Sequence, residues 1–522
     1  TVSETNSTKQ LFWNRKNEVS TCVGLISKPH LPKTMTTDTV FGIDLGTTFS
    51  SVCLIRPSEG AHFCCHHHND PFFPSLVYAP ETARLKYLTC EDAATRLTNV
   101  IKETKRLIGM KFSAPEVQAL IAHHHFEFVT LVPDSNDNVM VEFNEDGRTV
   151  RKYPWEISAM ILKHLHVAIS EKFHLPRTAT IKAVITVPAY FSHFQRVETI
   201  RAGVDAGVDV VKIVNEPTAA AVALGASSVV GEQRVLVFDF GGGTLDVTVM
   251  DISRQPRSSA FRVVSTHGDT FLGGADFDRI IGELLIEKIR DAFPDVAESF
   301  ALDALRPPFG NKTKAALLAI RCGARVLKET CFSHKRPATF SLRTFQQDGD
   351  EADDDDVEIS YRECLHRTRP LFRRCIACVD TALTKRGIAK DSIQRVLLVG
   401  GSSQFHEVRR RLVKYFGRDV CMESATSQLV VAQGAGLVAY HSGLSTSPFT
   451  ISEVCPVSLG IGFVNAENTR VVRRVISASE RIPCRRVVVG GTNRDFQLSM
   501  CFKVYQGEET VALKRNLVVS FE

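Results

Sequence analysis

The stretch Val235-Leu-Val-Phe-Asp-Phe-Gly-Gly-Gly-Thr-Leu-Asp246 decides the fold. Val235 to Phe238 is a short apolar run of β-branched and aromatic residues, which reads as a buried strand. Asp239 stands where that strand ends, and Gly241, Gly242 and Gly243 follow. Glycine lets the chain turn at positive φ and come close to a ligand. Successive backbone N–H groups in such a turn form a concave anion site. Thr244 adds a hydroxyl and Asp246 a second carboxylate. Phosphate oxygens need donors, and Mg²⁺ takes one or two carboxylates with water and substrate phosphate. The bland alternative is a glycine-rich hairpin with a capping aspartate.

A second copy argues against that alternative. Val40-Phe-Gly-Ile-Asp-Leu-Gly-Thr-Thr48 repeats the design, with Asp44 ending an apolar strand before Gly46, Thr47 and Thr48. Two such hairpins predict two related halves closing on one nucleotide. No G-x-x-x-x-G-K-[ST] is present, so the site is not a P-loop. A G-x-G-x-x-G leading into a helix and an acidic residue is also missing, which argues against a dinucleotide fold.

The 522 residues leave room for three or four domains, and 44% hydrophobic content suits large buried cores. A net charge of +5 is too small for this length to imply a nucleic-acid partner by itself. Fourteen scattered cysteines read as thiols of a reducing compartment. No apolar run has the length of a membrane span, so no membrane partner is expected.

Along the chain, residues 1–38 are polar and Ser/Thr-rich, an extension expected to be disordered. Residues 92–110 and 154–175 read as helices, Ile181–Val187 and Val210–Val214 as strands, and Asn215-Glu-Pro-Thr218 opens another helix. Alternating strands and helices predict an α/β domain over 39–442. Gly268-Asp-Thr-Phe-Leu-Gly-Gly274 and Val396-Leu-Leu-Val-Gly-Gly-Ser402 are further glycine turns. Residues 443–455 form a Ser/Thr/Pro-rich linker, and 456–522 switch to short strands. Three features invite chemistry but read as structural: the Phe63-Cys-Cys-His-His-His68 cluster with His123–His125, the acidic run Asp348–Glu358, and Cys375-Ile-Ala-Cys378.

The chain resembles the seventy-kilodalton heat-shock chaperones from Val40 onward. Six motifs carry the resemblance in order: Phe41-Gly-Ile-Asp-Leu-Gly-Thr-Thr48, Thr186-Val-Pro-Ala-Tyr-Phe191, Asn215-Glu-Pro-Thr-Ala-Ala-Ala221, Phe238–Asp246, Gly268–Gly274 and Val399-Gly-Gly-Ser402. The implied architecture is α/β: an actin-like two-lobed ATPase domain followed by a partial all-β substrate-binding domain. The implied cofactors are ATP/ADP and Mg²⁺. By the resemblance, Gly46, Thr47, Thr48, Phe49 and Gly241 to Thr244 hold nucleotide phosphates, with Gly273, Gly274, Gly400, Gly401 and Ser402 completing the pocket. Asp44 and Asp239 hold the hydrated metal. Lys105, Glu216, Asp246 and Thr244 act in hydrolysis, and Pro188 and Arg196 couple the site to the linker.

Four departures qualify the resemblance. Only Lys328 and Ser333, within Arg325–Ser333, match the helix pattern around adenosine. Gln404 replaces the arginine that stacks on adenine, and an amide stacks less well than a guanidinium. His193 replaces an aspartate, and the linker reads Pro448-Phe-Thr-Ile-Ser-Glu-Val-Cys455, which puts coupling between domains in doubt. The sequence ends at Glu522, before the last strands and helical lid of the family's peptide-binding domain.

The resemblance implies an ATP-hydrolysing chaperone assisted by a J-domain co-chaperone and a nucleotide-exchange factor. The competing reading is a regulatory subunit at the ribosome or nascent chain with little hydrolysis. Cytoplasmic location is expected, or mitochondrial if residues 1–38 are a presequence.

Overall fold

The computed structural model describes residues 39–56, 60–64, 70–78, 86–87, 100–123, 129–145, 148–225, 231–256, 258–299, 311–342, 356–423, 428–442, 447–465, 469–489, 491, 500–513 and 516–521. From Val40 onward these belong to the compact unit Val40–Glu522. The expected extension 1–38, residues 65–68 of the His/Cys cluster, His124, His125 and Asp348–Asp355 lie outside the described residues.

Two mixed sheets carry the structure. The first runs in the order Val208–Asn215, Ile181–Val187, Val40–Asp44, Phe49–Arg56, Gly60–Phe63. Val40–Asp44 pairs parallel with Ile181–Val187 and antiparallel with Phe49–Arg56, so the first hairpin sits mid-sheet. The second sheet runs Cys421–Glu423, Arg395–Val399, Gly231–Phe240, Leu245–Gln255, Ser258–Asp269, Phe449–Val454, Arg481–Ile482. Its central hairpin aligns Asp239 with Asp246 and Phe240 with Leu245.

The apolar run 235–240 is buried on both faces because strand residues alternate sides. Leu236, Phe238 and Phe240 join a core with Phe277, Phe332 and Phe372 from the covering helices and with Phe405, which caps helix His406–Phe416. Phe277 and Phe372 meet with ring centroids 4.9 Å apart. Val235 and Val237 face the opposite way, into a core with Ala219–Ala223 and Val430–Val438. Helices Glu216–Gly225 and Val430–Ser442 pack closely enough that a Cβ on Gly434 would strike the Ala219 carbonyl, and one on Gly42 the Gly436 backbone. Small residues thus let two helices lie against both central hairpins.

One local expectation is corrected. Within 92–110 the described part is no α-helix: Val100–Lys102 is a strand paired with Leu76–Tyr78, and Thr104–Arg106 is a 3₁₀ turn. Glu103, with φ 58°, is left-handed and interrupts any helix there. Cys375 and Cys378 lie buried inside helix Tyr361–Thr384, and burial pushes both thiols up, Cys378 to about 12.

The segment expected as a linker contributes a strand. Phe449–Val454 pairs in parallel with Ser258–Asp269, and Glu453 and Val454 then pair with Ile482 and Arg481. Beyond it, Arg470–Ile476, Leu459–Val464, Phe502–Gln506 and Leu517–Phe521 form one antiparallel sheet. Among the described residues, no helix is long and apolar enough to cross a membrane.

Candidate nucleotide site

Both hairpin loops meet. A Cβ on Gly243 would lie 2.5 Å from Thr47 Cγ2, and one on Gly242 would collide with Thr48 Oγ1. Gly46 is held equally tightly, against the Phe49 carbonyl. The triple glycine is therefore a steric requirement of closure as well as a source of free amides. Gly241 N–H donates to Thr244 O at 3.1 Å, closing the turn.

The other glycine turns lock onto this loop. Gly274 N–H donates to Gly241 O at 3.0 Å and Ala275 N–H to Gly242 O at 2.8 Å. A Cβ on Gly273 would meet Gly243 N. Ser402 Oγ donates to Gly241 O at 2.8 Å. Gly400, at φ 81°, sits under the Phe240 carbonyl, where any Cβ would be 2.6 Å from that oxygen. Gly401 opens a short 3₁₀ turn to Gln404. Lys328 reaches the same corner, with Nζ 2.7 Å from Asp278 and 3.3 Å from Gly274 O. The structure does not bring Ser333 there. Ser333 is exposed, five residues on and so roughly 140° around the helix from Lys328.

Lys105 and the acidic side chains also converge. Lys105 Nζ donates to Glu216 Oε1 at 2.5 Å, both side chains being about nine-tenths buried. Burial opposes the ammonium charge, but Glu216 and Asp44, with Asp239 behind them, more than offset it and raise the pKa. Asp44 ends its strand beside Thr186, whose Oγ1 donates to it at 2.9 Å. Burial and then Glu216 push Asp44 up to about 7, against Lys105 and the Thr186 bond. Asp246 is likewise raised to about 7 by burial and Glu216, although Tyr190 N–H donates to it at 3.0 Å. Asp239 is raised by burial and by its acidic neighbours, and its Oδ2 is buried without a hydrogen-bond partner.

Four carboxylates thus share one ammonium. Such an excess of buried negative charge fits a divalent cation. Among the described residues no three His, Cys, Asp or Glu side chains converge as direct ligands. The donor set therefore fits a cation held through water, and Asp239 Oδ2 is the buried acceptor left unsatisfied among these carboxylates.

Sequence reasoning missed Arg106. Its buried guanidinium donates to Asp276 at 2.5 Å and, from Nε and Nη2, to the Gly243 carbonyl at 3.0 and 2.8 Å. It ties the Lys105 turn to the triple-glycine loop and to the start of helix Gly274–Ala292. Its local signal is weak, an arginine beside Lys105 in a stretch that also holds Lys102 and Glu103. Glu453 was missed as well. It accepts from Thr218 Oγ1 at 2.7 Å, two residues past Glu216. Burial pushes its carboxyl up, against Thr218, Asn215, Arg196 and Lys212. Arg196 itself donates to the carbonyls of Phe191 at 3.2 Å and Ala189 at 3.0 Å.

Comparison with known proteins shows the family of the chain. The family model described as Hsp70 protein matches residues 40–522. A heat shock 70 kDa protein of Neurospora crassa is 33% identical over 495 residues, covering 92% of this chain and 70% of that protein. Another from Emericella nidulans is 32% identical over 494 residues, covering 92% and 70%. Heat shock cognate 70 kDa protein 3 of Dictyostelium discoideum is 32% identical over 499 residues, covering 93% and 73%. The chain belongs to the Hsp70 family.

Proposed function

We propose that this chaperone-family chain binds ATP and ADP with Mg²⁺ between its two glycine–threonine hairpins and hydrolyses ATP. The observation that carries the reading is the buried Lys105 ammonium set among Asp44, Glu216, Asp239 and Asp246 beside the facing loops 46–48 and 241–244. The amides of Gly241–Thr244 and the hydroxyls of Thr47 and Thr48 would hold phosphate oxygens. Mg²⁺, when bound, supplies charge neutralisation at the phosphates, and Asp44 and Asp239 are the residues placed to orient its water shell. Lys105 would stabilise charge developing at the γ-phosphate. Glu216 and Asp246 would align the attacking water, and Thr244 would position it. Gly273, Gly274, Gly400, Gly401, Ser402 and Lys328, which adjoin the triple-glycine loop, would complete the pocket wall.

A J-domain co-chaperone and a nucleotide-exchange factor are the proposed partners, in the cytoplasm. The domain reading is an ATPase domain over 39–442, an interdomain linker over 443–455 that includes the strand Phe449–Val454, and a truncated β-sandwich substrate-binding domain over 456–522. The deciding experiment is ATP turnover by the full chain with and without a J-domain protein. Stimulated turnover, lost in Lys105→Ala, is the expected result; no turnover under either condition overturns the hydrolysis reading.

One observation favours a second reading, a regulatory subunit at the ribosome that binds nucleotide with little hydrolysis. Ser333 is exposed, and Arg325 lies 5.1 Å over the Phe49 ring, paired with Glu329, so the adenosine side of the site departs from the pattern that the phosphate side follows.

A further inference from the structure

Outside the nucleotide site, two adjacent helices carry a concentration of positive charge that the nucleotide reading does not use. Helix Tyr361–Thr384 and helix His406–Phe416 together hold nine Arg and Lys against three carboxylates. They pack side by side: Arg411 lies 5.2 Å over the Phe372 ring, and Tyr415 O–H donates to Asp380 at 2.7 Å.

The charge is sorted by face. Arg367 pairs with Glu287, and Arg374 with Asp269 at 2.6 Å, on the flank toward helix Gly274–Ala292. Arg410 and Arg411 both bind the buried Glu407 at 2.6 Å. What remains is a stripe. Arg362, His366, Arg369 and Arg373 recur at spacings of four, three and four, so they share one helical face, and all four are exposed. On the wheel of this helix, the stripe is centred on the direction of Asp380, about 80° around from Phe372, which packs toward the neighbouring helix. Lys414 is exposed on that neighbour. Among the described residues, Arg362, Arg369, Arg373 and Lys414 have no acidic partner. The one carboxylate on the stripe's face, Asp380, is engaged by Tyr415.

From this we infer that the face of Arg362, Arg369, Arg373 and Lys414 binds the phosphate backbone of a duplex nucleic acid, without base preference. Three physical features favour that occupant. The cations are mostly arginines, whose planar fork suits phosphate. The stripe is straight and rigid, spanning roughly 16 Å of helix, while a duplex offers one negative charge per about 1.7 Å of axis. Finally, none of the exposed large apolar side chains lies on either helix. A protein partner wants an apolar anchor at the centre of its interface, and a single strand wants an aromatic platform for its bases. A phosphate backbone needs neither.

The test uses the full chain and a fluorescein-labelled 24-base-pair RNA duplex of arbitrary sequence, with anisotropy read between about 50 and 200 mM salt. The variants are Arg362→Gln/Arg369→Gln/Arg373→Gln and, as a control of equal charge change, Arg470→Gln/Arg473→Gln/Arg485→Gln. The expected result is at least tenfold weaker binding in the stripe variant, with its salt slope shallower by about 2–3, and less than threefold loss in the control. Unchanged melting temperature and ATP turnover in the stripe variant show that the fold survives. Equal losses in both variants would reduce the effect to overall charge and overturn the site. No binding by the wild type at 50 mM salt would overturn it as well. Displacement of the duplex by polyglutamate at equal charge concentration would hand the face to an acidic protein segment instead, such as one resembling the chain's own Asp348–Glu358 run.

Discussion

Arg106 Nη2 donates to Asp276 Oδ2 at 2.5 Å and to the Gly243 carbonyl at 2.8 Å, so one buried guanidinium staples the Lys105 turn to the triple-glycine loop. Breaking a buried ion pair by removing one partner strands the other charge and costs roughly 3–5 kcal/mol. Arg106→Met should therefore lower stability by about that amount in urea unfolding. Arg106→Met with Asp276→Asn should recover part of the loss, because no lone carboxylate is left. If the double variant is as unstable as the sum of the singles, the pairing contributes nothing.

Lys105→Ala should leave nucleotide affinity nearly unchanged and lower single-turnover hydrolysis by roughly 10²–10³, the effect of losing one preorganised donor to a developing charge. Turnover within threefold of wild type would show that Lys105 does not act at the γ-phosphate.

Base selectivity should be weak. Ser333 is exposed, Lys328 is committed to Asp278 and Arg325 to Glu329 and the Phe49 face. The phosphate loops carry no base information. GTP should therefore compete with ATP to within about tenfold in a displacement assay, since the missing stack is worth at most one or two kcal/mol. Rejection of GTP by a thousandfold would mean other residues rebuild the base pocket.

The strand Phe449–Val454 should be held by the partly buried carboxylate of Glu453. Glu453→Ala leaves Thr218 without its acceptor and removes the acidic group that acts most strongly on Arg196. Such a loss costs roughly 1–3 kcal/mol. Amide hydrogen exchange across 449–454 should accelerate at least tenfold while the strands 235–240 and 245–250 stay protected. Unchanged exchange at 449–454 would show that backbone pairing with Ser258–Asp269 suffices.

A pH effect should trace to His267. Burial, reinforced by Lys385, lowers its pKa to about 4. Lys385 Nζ lies 3.3 Å from His267 Nδ1, and the Tyr190 ring packs edge-on at 5.3 Å. Between the ordinary value of 6.5 and about 4, the unfolded chain binds the proton and the folded one does not. Stability from this group is then complete above pH 6.5 and lost as pH falls toward 4. His267→Gln should narrow the gap in melting temperature between pH 7 and pH 4.5. An identical gap in both proteins would remove His267 from the acid response.

The hairpins were legible before any coordinates because their rules are local. An apolar run that ends in Asp, Gly and Thr dictates a strand and a tight turn through backbone sterics alone, and both copies form at 40–44 and 235–240. That same local reading failed at 100–110, where Val100 and Ile101 are recruited by the strand Leu76–Tyr78 and Glu103 breaks the helical path. Tertiary structure alone decided what the loops face. Gly242 against Thr48, Lys105 against Glu216 111 residues away, and Arg106 against Asp276 depend on how the small residues of helices Glu216–Gly225 and Val430–Ser442 let both sheets approach. The same holds for Glu453, whose sequence surroundings read as a polar linker. Its partial burial follows from a strand joining a distant sheet edge, and pairing across some 190 residues leaves no trace in local periodicity.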